Sequence, residues 1–360
     1  ARFLFIYLPS DNFSTGLAKE HIMGARIRMY EPNQVYEASI RTVDRAFLFA
    51  PNHHKSQPLI ADTSPPSALD SRNNLIPKPS VVNIFGAAVG RALRRFPIAI
   101  HGFEGNINHL HICFSASESQ LDNIVPFFRS TLSLIARGVN RLLDREGPLF
   151  SSRTRTHPCI GDKQAENKLL YALTNVAKDN LVEHTSDSPF FTTYHHQAKG
   201  ESLCFWYIDY DAYWTAGGPS KKTHRLKDYL RWTKWRCAPL PNHQSMTEPQ
   251  RQTWFRQQVK ALEEQFAKER RETGKTVLGV KRLRETEPRD RPKFPKESGK
   301  EPLCHAEDKE SEREFKEKWK QFRDAFIAAS ADYRSGVRNR EFPLGSFKPP
   351  LLDIARASGS

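Results

Sequence analysis

The sequence predicts an α+β fold: a ferredoxin-like antiparallel sheet with helices on one side, followed by a mostly helical, basic C-terminal region. Three observations predict it. Residues 34–43 (QVYEASIRTV) alternate with period two, Tyr36, Ala38 and Ile40 on one face and Glu37, Ser39 and Arg41 on the other, as a half-buried strand does. Two apolar runs, IAIHGFEG and HLHICFSA, follow each other closely enough to pair as a hairpin. Stretches with apolar residues at helical spacing alternate with these strands. The resulting order of strand, helix, strand, strand, helix, strand, helix is the one this sandwich requires.

Each element has its own signal. Residues 1–29 read as an N-terminal extension; the run FLFIYL within it is too short to span a membrane and lacks the basic flank and cleavage site of a signal peptide. The first strand is followed by a Pro-, Asn- and Ser-rich segment, residues 51–80, that reads as an inserted loop. Val81, Ile84, Phe85, Ala88, Val89 and Leu93 then mark an amphipathic helix that Pro97 stops. After the hairpin, Leu121, Ile124, Val125, Phe128, Leu132, Ile135, Val139 and Leu142 mark a long second helix. GPLFSSRTRTHPCI supplies the last strand, and a helix begins near Asp162. These elements make one domain over residues 30–190.

Residues 191–360 differ in character. Most of the positive surplus lies here: residues 201–360 carry net +9, against +5 for residues 1–200. KRLRETEPRDRPKFPKESGKEP is charged and broken by prolines, so a flexible linker is expected near residues 280–302. Phe315, Trp319, Phe322 and Phe326, at helical spacing, place a helix over residues 311–333 beyond it.

Lys+Arg 55 against Asp+Glu 41 gives a net charge of +14 and a pI near 9.6, which favours a polyanionic partner, most simply nucleic acid. An anionic membrane surface competes for that role, but no apolar run approaches the roughly 20 residues of a spanning helix, and no membrane partner is expected. The five cysteines (Cys113, Cys159, Cys204, Cys237, Cys304) are odd in number and form no C-x-x-C, which points to a reducing cytoplasm rather than a disulfide framework. Cys304-His305 is an isolated pair without the second half of a zinc finger. A G-x-S-x-G elbow and a Walker-type phosphate loop are both absent from the sequence.

The chemistry concentrates in two places. In NINHLHICF, strand alternation puts His109 and His111 on one face and Leu110, Ile112 and Phe114 on the other. Two imidazoles fixed side by side are half of a metal site; the plainer reading is a His-rich edge strand facing water. In NKLLYALTNVAKDNLV, Tyr171 and Asn175 stand four residues apart, one helical turn, and so share a face, although a tyrosine in an apolar helix is usually core. His53-His54 and His195-His196 are adjacent, point to opposite faces of an extended chain, and read as solvated loops. Tyr194, Tyr207, Tyr210 and Tyr213 are rival nucleophiles without an Asn one turn on.

Asn108-His109-Leu110-His111 on a strand, followed about sixty residues later by Tyr171-x-x-x-Asn175 on a helix, resembles the single-tyrosine HUH transposases, in particular the REP-associated tyrosine transposases of the IS200-like group. The likeness covers about residues 30–190. The family's helical Tyr-x-x-x-Asn-Pro-Val-x-Ala-Gly-Leu-Val aligns with Tyr171 to Val182, its first-strand arginine with Arg41, and its Gly and aromatic before the last strand with Gly147 and Phe150. Val176 stands where the family often has Pro, and Asp179-Asn180 where it has Ala-Gly; Asn tolerates the left-handed conformation of a helix end, so that change is mild. The C-terminal run from CHAEDKESEREF onward is similar to the tail of larger bacterial members.

The resemblance implies the HUH endonuclease fold and a bacterial, cytoplasmic, nucleoid-associated enzyme. It would nick and rejoin single-stranded DNA near hairpins through a covalent 5′-phosphotyrosine. Tyr171 would be the nucleophile, with His109, His111 and Asn175 as ligands for Mg²⁺ or Mn²⁺, acting as a monomer or homodimer. A replication initiator or relaxase-type nicking enzyme is the neighbouring alternative, and a non-catalytic nucleic-acid-binding protein on the same fold the alternative of another class. For DNA contact the candidates are Arg41 and the stretch KKTHRLKDYLRWTKWR, residues 221–236, with seven basic residues against one acidic. There Lys221, Lys222, Arg225 and Lys227 would track phosphates while Trp232 and Trp235 stack on bases. The same stretch also reads as an amphipathic helix with solvated lysines.

Overall fold

The computed structural model describes residues 27–51, 79–220, 225–293 and 301–349. At its centre β1 (Tyr36–Arg41) lies between β3 (His109–Ser115) and β4 (Arg155–Ile160), with β2 (Ala99–Gly105) outside β3. These four strands are antiparallel in the order β2-β3-β1-β4, and a two-residue strand, β7 (His305–Ala306), adds in parallel to the free edge of β4. The chain is thus a mixed α/β protein with a mostly antiparallel sheet.

Period-two alternation divides this sheet. Tyr36, Ala38, Ile40, Leu110, Ile112 and Phe114 form one face, fully buried under α1 (Val81–Arg95) and α2 (Ile124–Leu142). Helix α1 starts where the sequence places it, because the Ser80 hydroxyl accepts a hydrogen bond from the Asn83 N–H at 3.0 Å. The expectation of helices on one side is corrected. α3 (Asp162–Lys178) and α6 (Glu248–Thr273) cover the opposite face, where Leu169, Leu173, Phe255 and Val259 pack on Val35, Cys113 and Cys159. The physical reason is that these three sheet residues make the second face apolar at one end, and apolar area must be covered.

Residue 190 does not divide the packing. β5 (Leu203–Ile208) and β6 (Leu230–Trp235) pair as a separate antiparallel ribbon that lies on α1, and Leu203, Phe205 and Trp235 join the main core. Gly86 and Gly90 make this approach possible, since a Cβ at either would run into Phe205 or Thr233. The remaining helices are α4 (Tyr194–Lys199), α5 (Tyr210–Thr215), α7 (Val280–Glu285) and α8 (Lys309–Arg334), the last matching the predicted helix over 311–333.

The segment expected as a flexible linker is structured at its start. α7 buries Leu283 completely against Ala50, Val176 and Val182, and the Phe47 N–H donates to Asp290 O at 2.9 Å. One buried leucine and a few backbone bonds anchor what composition alone reads as mobile. Of the other expected segments, residues 1–26 of the N-terminal extension, residues 52–78 of the insertion with His53 and His54, residues 294–300, and Lys221 and Lys222 lie outside the described residues.

Candidate metal and nucleophile site

Strand register sets the first half of the site. Across β1 and β3, Arg41 faces His109 and Ser39 faces His111, so both imidazoles stand over the non-core face, ring centroids 5.0 Å apart. Their tautomers are fixed from behind. The Asn108 amide donates to Arg45 O at 3.0 Å, which leaves its Oδ1 to accept from His109 Nδ1 at 2.9 Å. Asp44 and Arg45, both in the left-handed region at φ 53° and 57°, shape the turn that brings this carbonyl in. His111 Nδ1 likewise lies 2.7 Å from Glu37 Oε1. In a neutral ring whose Nδ1 carries the proton, Nε2 carries a lone pair, the form a metal-ligating histidine takes.

Helix α3 supplies the second half. Its first turn begins at Gly161, which has no side chain to cap it, and the Glu307 carboxylate caps it instead, accepting from the Lys163 N–H at 2.7 Å and the Gln164 N–H at 3.2 Å. Its end turns through Asn180 at φ 58°, the left-handed residue expected from the sequence. Between these ends, Tyr171 and Asn175 project toward the histidines. Asn175 Nδ2 lies 2.9 Å from His109 Nε2, and the Tyr171 ring meets His111 edge-to-face at 5.8 Å. Asn175 is buried whereas Tyr171 is 37% exposed, open to a large substrate. Lys178 Nζ sits 4.6 Å from the Tyr171 ring centroid and Lys168 Nζ 5.5 Å.

Electrostatics sort these groups. Partial burial, then the charges of Asp179 and Glu37, push the Tyr171 phenol up, while Arg41 pulls the other way. Burial, then His111 and Arg41, depress His109, keeping it neutral. Burial alone would raise the Glu37 carboxyl, but the His111 hydrogen bond and the nearby His157 outweigh it and hold the group well below the usual carboxylate range. Two imidazoles and a carboxamide are a donor set that could hold a divalent metal, with His109, His111 and, once its amide is turned to present Oδ1, Asn175 as the residues that would bind it.

Three residues near this site escaped the sequence reading. Glu37 is buried beneath the histidines; the alternation of β1 had already put it on their face. His157 pairs with Glu37 across β1 and β4, and His305, set aside in the sequence as part of an isolated Cys-His pair, comes from β7, nearly 150 residues later. Burial chiefly pushes His305 down to about 4.

The C-terminal candidates separate. Residues 230–235 form strand β6, not a helix: Leu230, Trp232 and Lys234 alternate with Arg231, Thr233 and Trp235, and the second set faces α1. Trp235 is 6% exposed, and its indole N–H donates to Gly86 O at 3.0 Å, so it is a core residue and not a base-stacking platform. Trp232 is half-buried opposite Trp206; Lys227 is half-buried, and Arg225 is exposed but within 3.6 Å of Asp228. His196 is likewise corrected from solvated loop to buried residue: Nδ1 lies 2.7 Å from Glu201 O, and Nε2 accepts from the Cys237 N–H. The rival tyrosines are engaged elsewhere: Tyr194 on Phe255, Tyr207 with Arg94, Tyr210 under Arg141, and Tyr213 buried.

Among the described residues no helix is long and apolar enough to cross a membrane. No protein-family model and no curated protein matches the chain. One solved structure it is similar to is described as "Structure of the REP associates tyrosine transposase bound to a REP hairpin". The two share 17% identity at a TM-score of 0.33, over 49% of this chain and 87% of the other.

Proposed function

We propose that this chain is a metal-dependent transposase or endonuclease that nicks and rejoins single-stranded DNA beside hairpins through a 5′-phosphotyrosine on Tyr171. The observation that carries the reading is the convergence of Tyr171 and Asn175, from one face of α3, on His109 and His111, from one face of β3. Composition adds the partner: a net charge of +14 favours a polyanion.

The Tyr171 oxygen would form a bond to phosphorus as the bond from phosphorus to the 3′-oxygen breaks. The phosphotyrosine conserves that bond energy, and a free 3′-hydroxyl can reverse the step. A divalent ion such as Mg²⁺ or Mn²⁺, held by His109, His111 and Asn175, would polarise the phosphate and stabilise the leaving oxygen. The phenol, raised by burial, is protonated at neutral pH and gives up its proton to solvent as it attacks, and the leaving 3′-oxygen takes one back from solvent; Arg41, whose charge favours the phenolate, assists that loss. Glu37 and Asn108 hold the imidazoles by Nδ1, turning each Nε2 toward Tyr171 and Asn175.

The test is a labelled single-stranded hairpin oligonucleotide incubated with the full chain and Mg²⁺ or Mn²⁺, scored for adduct that survives denaturation. Tyr171→Phe is expected to lower adduct yield at least a thousandfold, about 4 kcal/mol, without moving the unfolding midpoint. Undiminished adduct from that variant overturns the assignment. Salt-sensitive binding with no adduct under any metal makes the chain a non-catalytic DNA binder.

A further inference from the structure

We infer that Glu37, His157 and His305 form a second metal site, separate from the His109–His111 pair, which takes a divalent transition metal of the zinc type and clamps the C-terminal segment to the sheet. The three donors come from β1, β4 and β7. Glu37 Oε2 lies 3.6 Å from His157 Nδ1 and 3.9 Å from His305 Nε2, and one ligand atom from each residue falls within 4.8 Å of the others. Two donors bound to one tetrahedral ion at about 2.0–2.1 Å stand roughly 3.4 Å apart. The atoms therefore surround a gap slightly wider than one ion, which small side-chain movements would close onto it.

A second observation points the same way. His157 is 5% exposed, and its Nε2 lies 3.0 Å from Glu301 Oε1, so that nitrogen carries the proton and donates it. In the neutral ring Nδ1 is then a lone pair aimed at the Glu37 carboxylate, and it has no hydrogen-bond partner. Two buried acceptors facing each other are unfavourable unless a cation lies between them. A carboxylate behind an imidazole whose other nitrogen faces the ion is how ligating histidines are oriented. Two imidazoles and one carboxylate suit Zn²⁺ better than Mg²⁺. Lys168, close enough to depress His305, opposes a cation here, and the carboxylates of Glu37 and Glu301 offset it.

The site explains how so short a strand holds its place. β7 contributes two residues to the sheet, and Glu307, just beyond it, caps the helix that carries Tyr171 and Asn175. Glu37 joins the two centres, giving Oε1 to His111 and facing the second cluster with Oε2. A metal at the second site would thus fix both the orientation of His111 and the start of α3. The rival occupant of the gap is a proton, with His157 an imidazolium bridging Glu37 and Glu301.

The test uses the full chain carrying His109→Ala and Asn175→Ala to weaken the first site, stripped with a chelator and titrated with Zn²⁺ by calorimetry and with Co²⁺ by visible absorption. One Zn²⁺ per chain, an intense four-coordinate Co²⁺ band and a rise in the unfolding midpoint are expected. Adding His305→Gln should weaken Zn²⁺ at least about tenfold and abolish the rise. No Zn²⁺ uptake, or an equal rise with and without His305, overturns the inference. Histidine ¹⁵N spectra of the chain with His305 intact give an answer that does not depend on the His305 variant folding. A metal-bound Nδ1 on His157 in the presence of Zn²⁺ supports the site, and an unchanged imidazolium rejects it.

Discussion

The two faces of the central sheet are built from the same strands and do opposite things. On the α1–α2 face, Ala38, Ile40, Leu110, Ile112 and Phe114 are apolar and closed. One residue along each strand, Glu37, His109, His111 and His157 look the other way and are polar; Glu37 and His157 are buried, while His109 and His111 are only partly covered. The difference teaches that the alternation of side chains makes fold and site separable: a strand can be rigid because one face is closed by apolar packing, and reactive because the other carries polar groups toward a partly open site.

The sharpest way to break this comparison is to exchange effects between faces. Phe114→Ala should cost about 3–5 kcal/mol of stability by denaturant unfolding, and Trp235→Ala a similar amount, since both empty a packed core. His109→Ala should change stability by less than about 1 kcal/mol while removing metal-dependent adduct formation. A His109 variant as unstable as Phe114→Ala would show that the histidine face also holds the fold.

A second, smaller effect compares histidines. His101, on β2, has both ring nitrogens engaged by the protein, with Ala238 O at 3.1 Å and Ser115 Oγ at 2.9 Å, and burial pushes its pKa down to about 4. The unfolded chain, with a pKa near 6.5, takes the proton first. Stability is therefore full above about pH 6.5 and falls as pH drops toward about 4, by roughly 3 kcal/mol in all. His101→Gln should remove that part of the slope from a series of unfolding curves across this window. A wild-type curve that stays flat there would show that His101 is protonated at little cost.

The smallest expected effect sharpens the surface. If Arg225 contacts a phosphate, Arg225→Ala should flatten the dependence of log K on log salt for single-stranded DNA by about 0.7. A binding titration over increasing salt measures it. Its ion pair with Asp228 competes for the guanidinium, so an unchanged slope would assign Arg225 to that pair instead of DNA.

The sequence by itself determined what is local. Period two gave β1, the hairpin and the pairing of His109 with His111 on one face; period 3.6 gave α1, α2, α3 and α8 and the stacking of Tyr171 over Asn175; Asn180 marked the left-handed end of α3. These follow from geometry within a turn or a strand, which spacing encodes directly. Tertiary structure decided what depends on register and distance. It brought Asn175 to His109, set His157 and His305 around Glu37, let Glu307 cap a helix begun by a glycine, and turned Trp235 into the core. The strand carrying Trp235 reads equally as a basic, aromatic surface until β5 and the glycines of α1 give it a partner and a groove. Side-chain spacing says which residues share a face; only the packed chain says what that face meets.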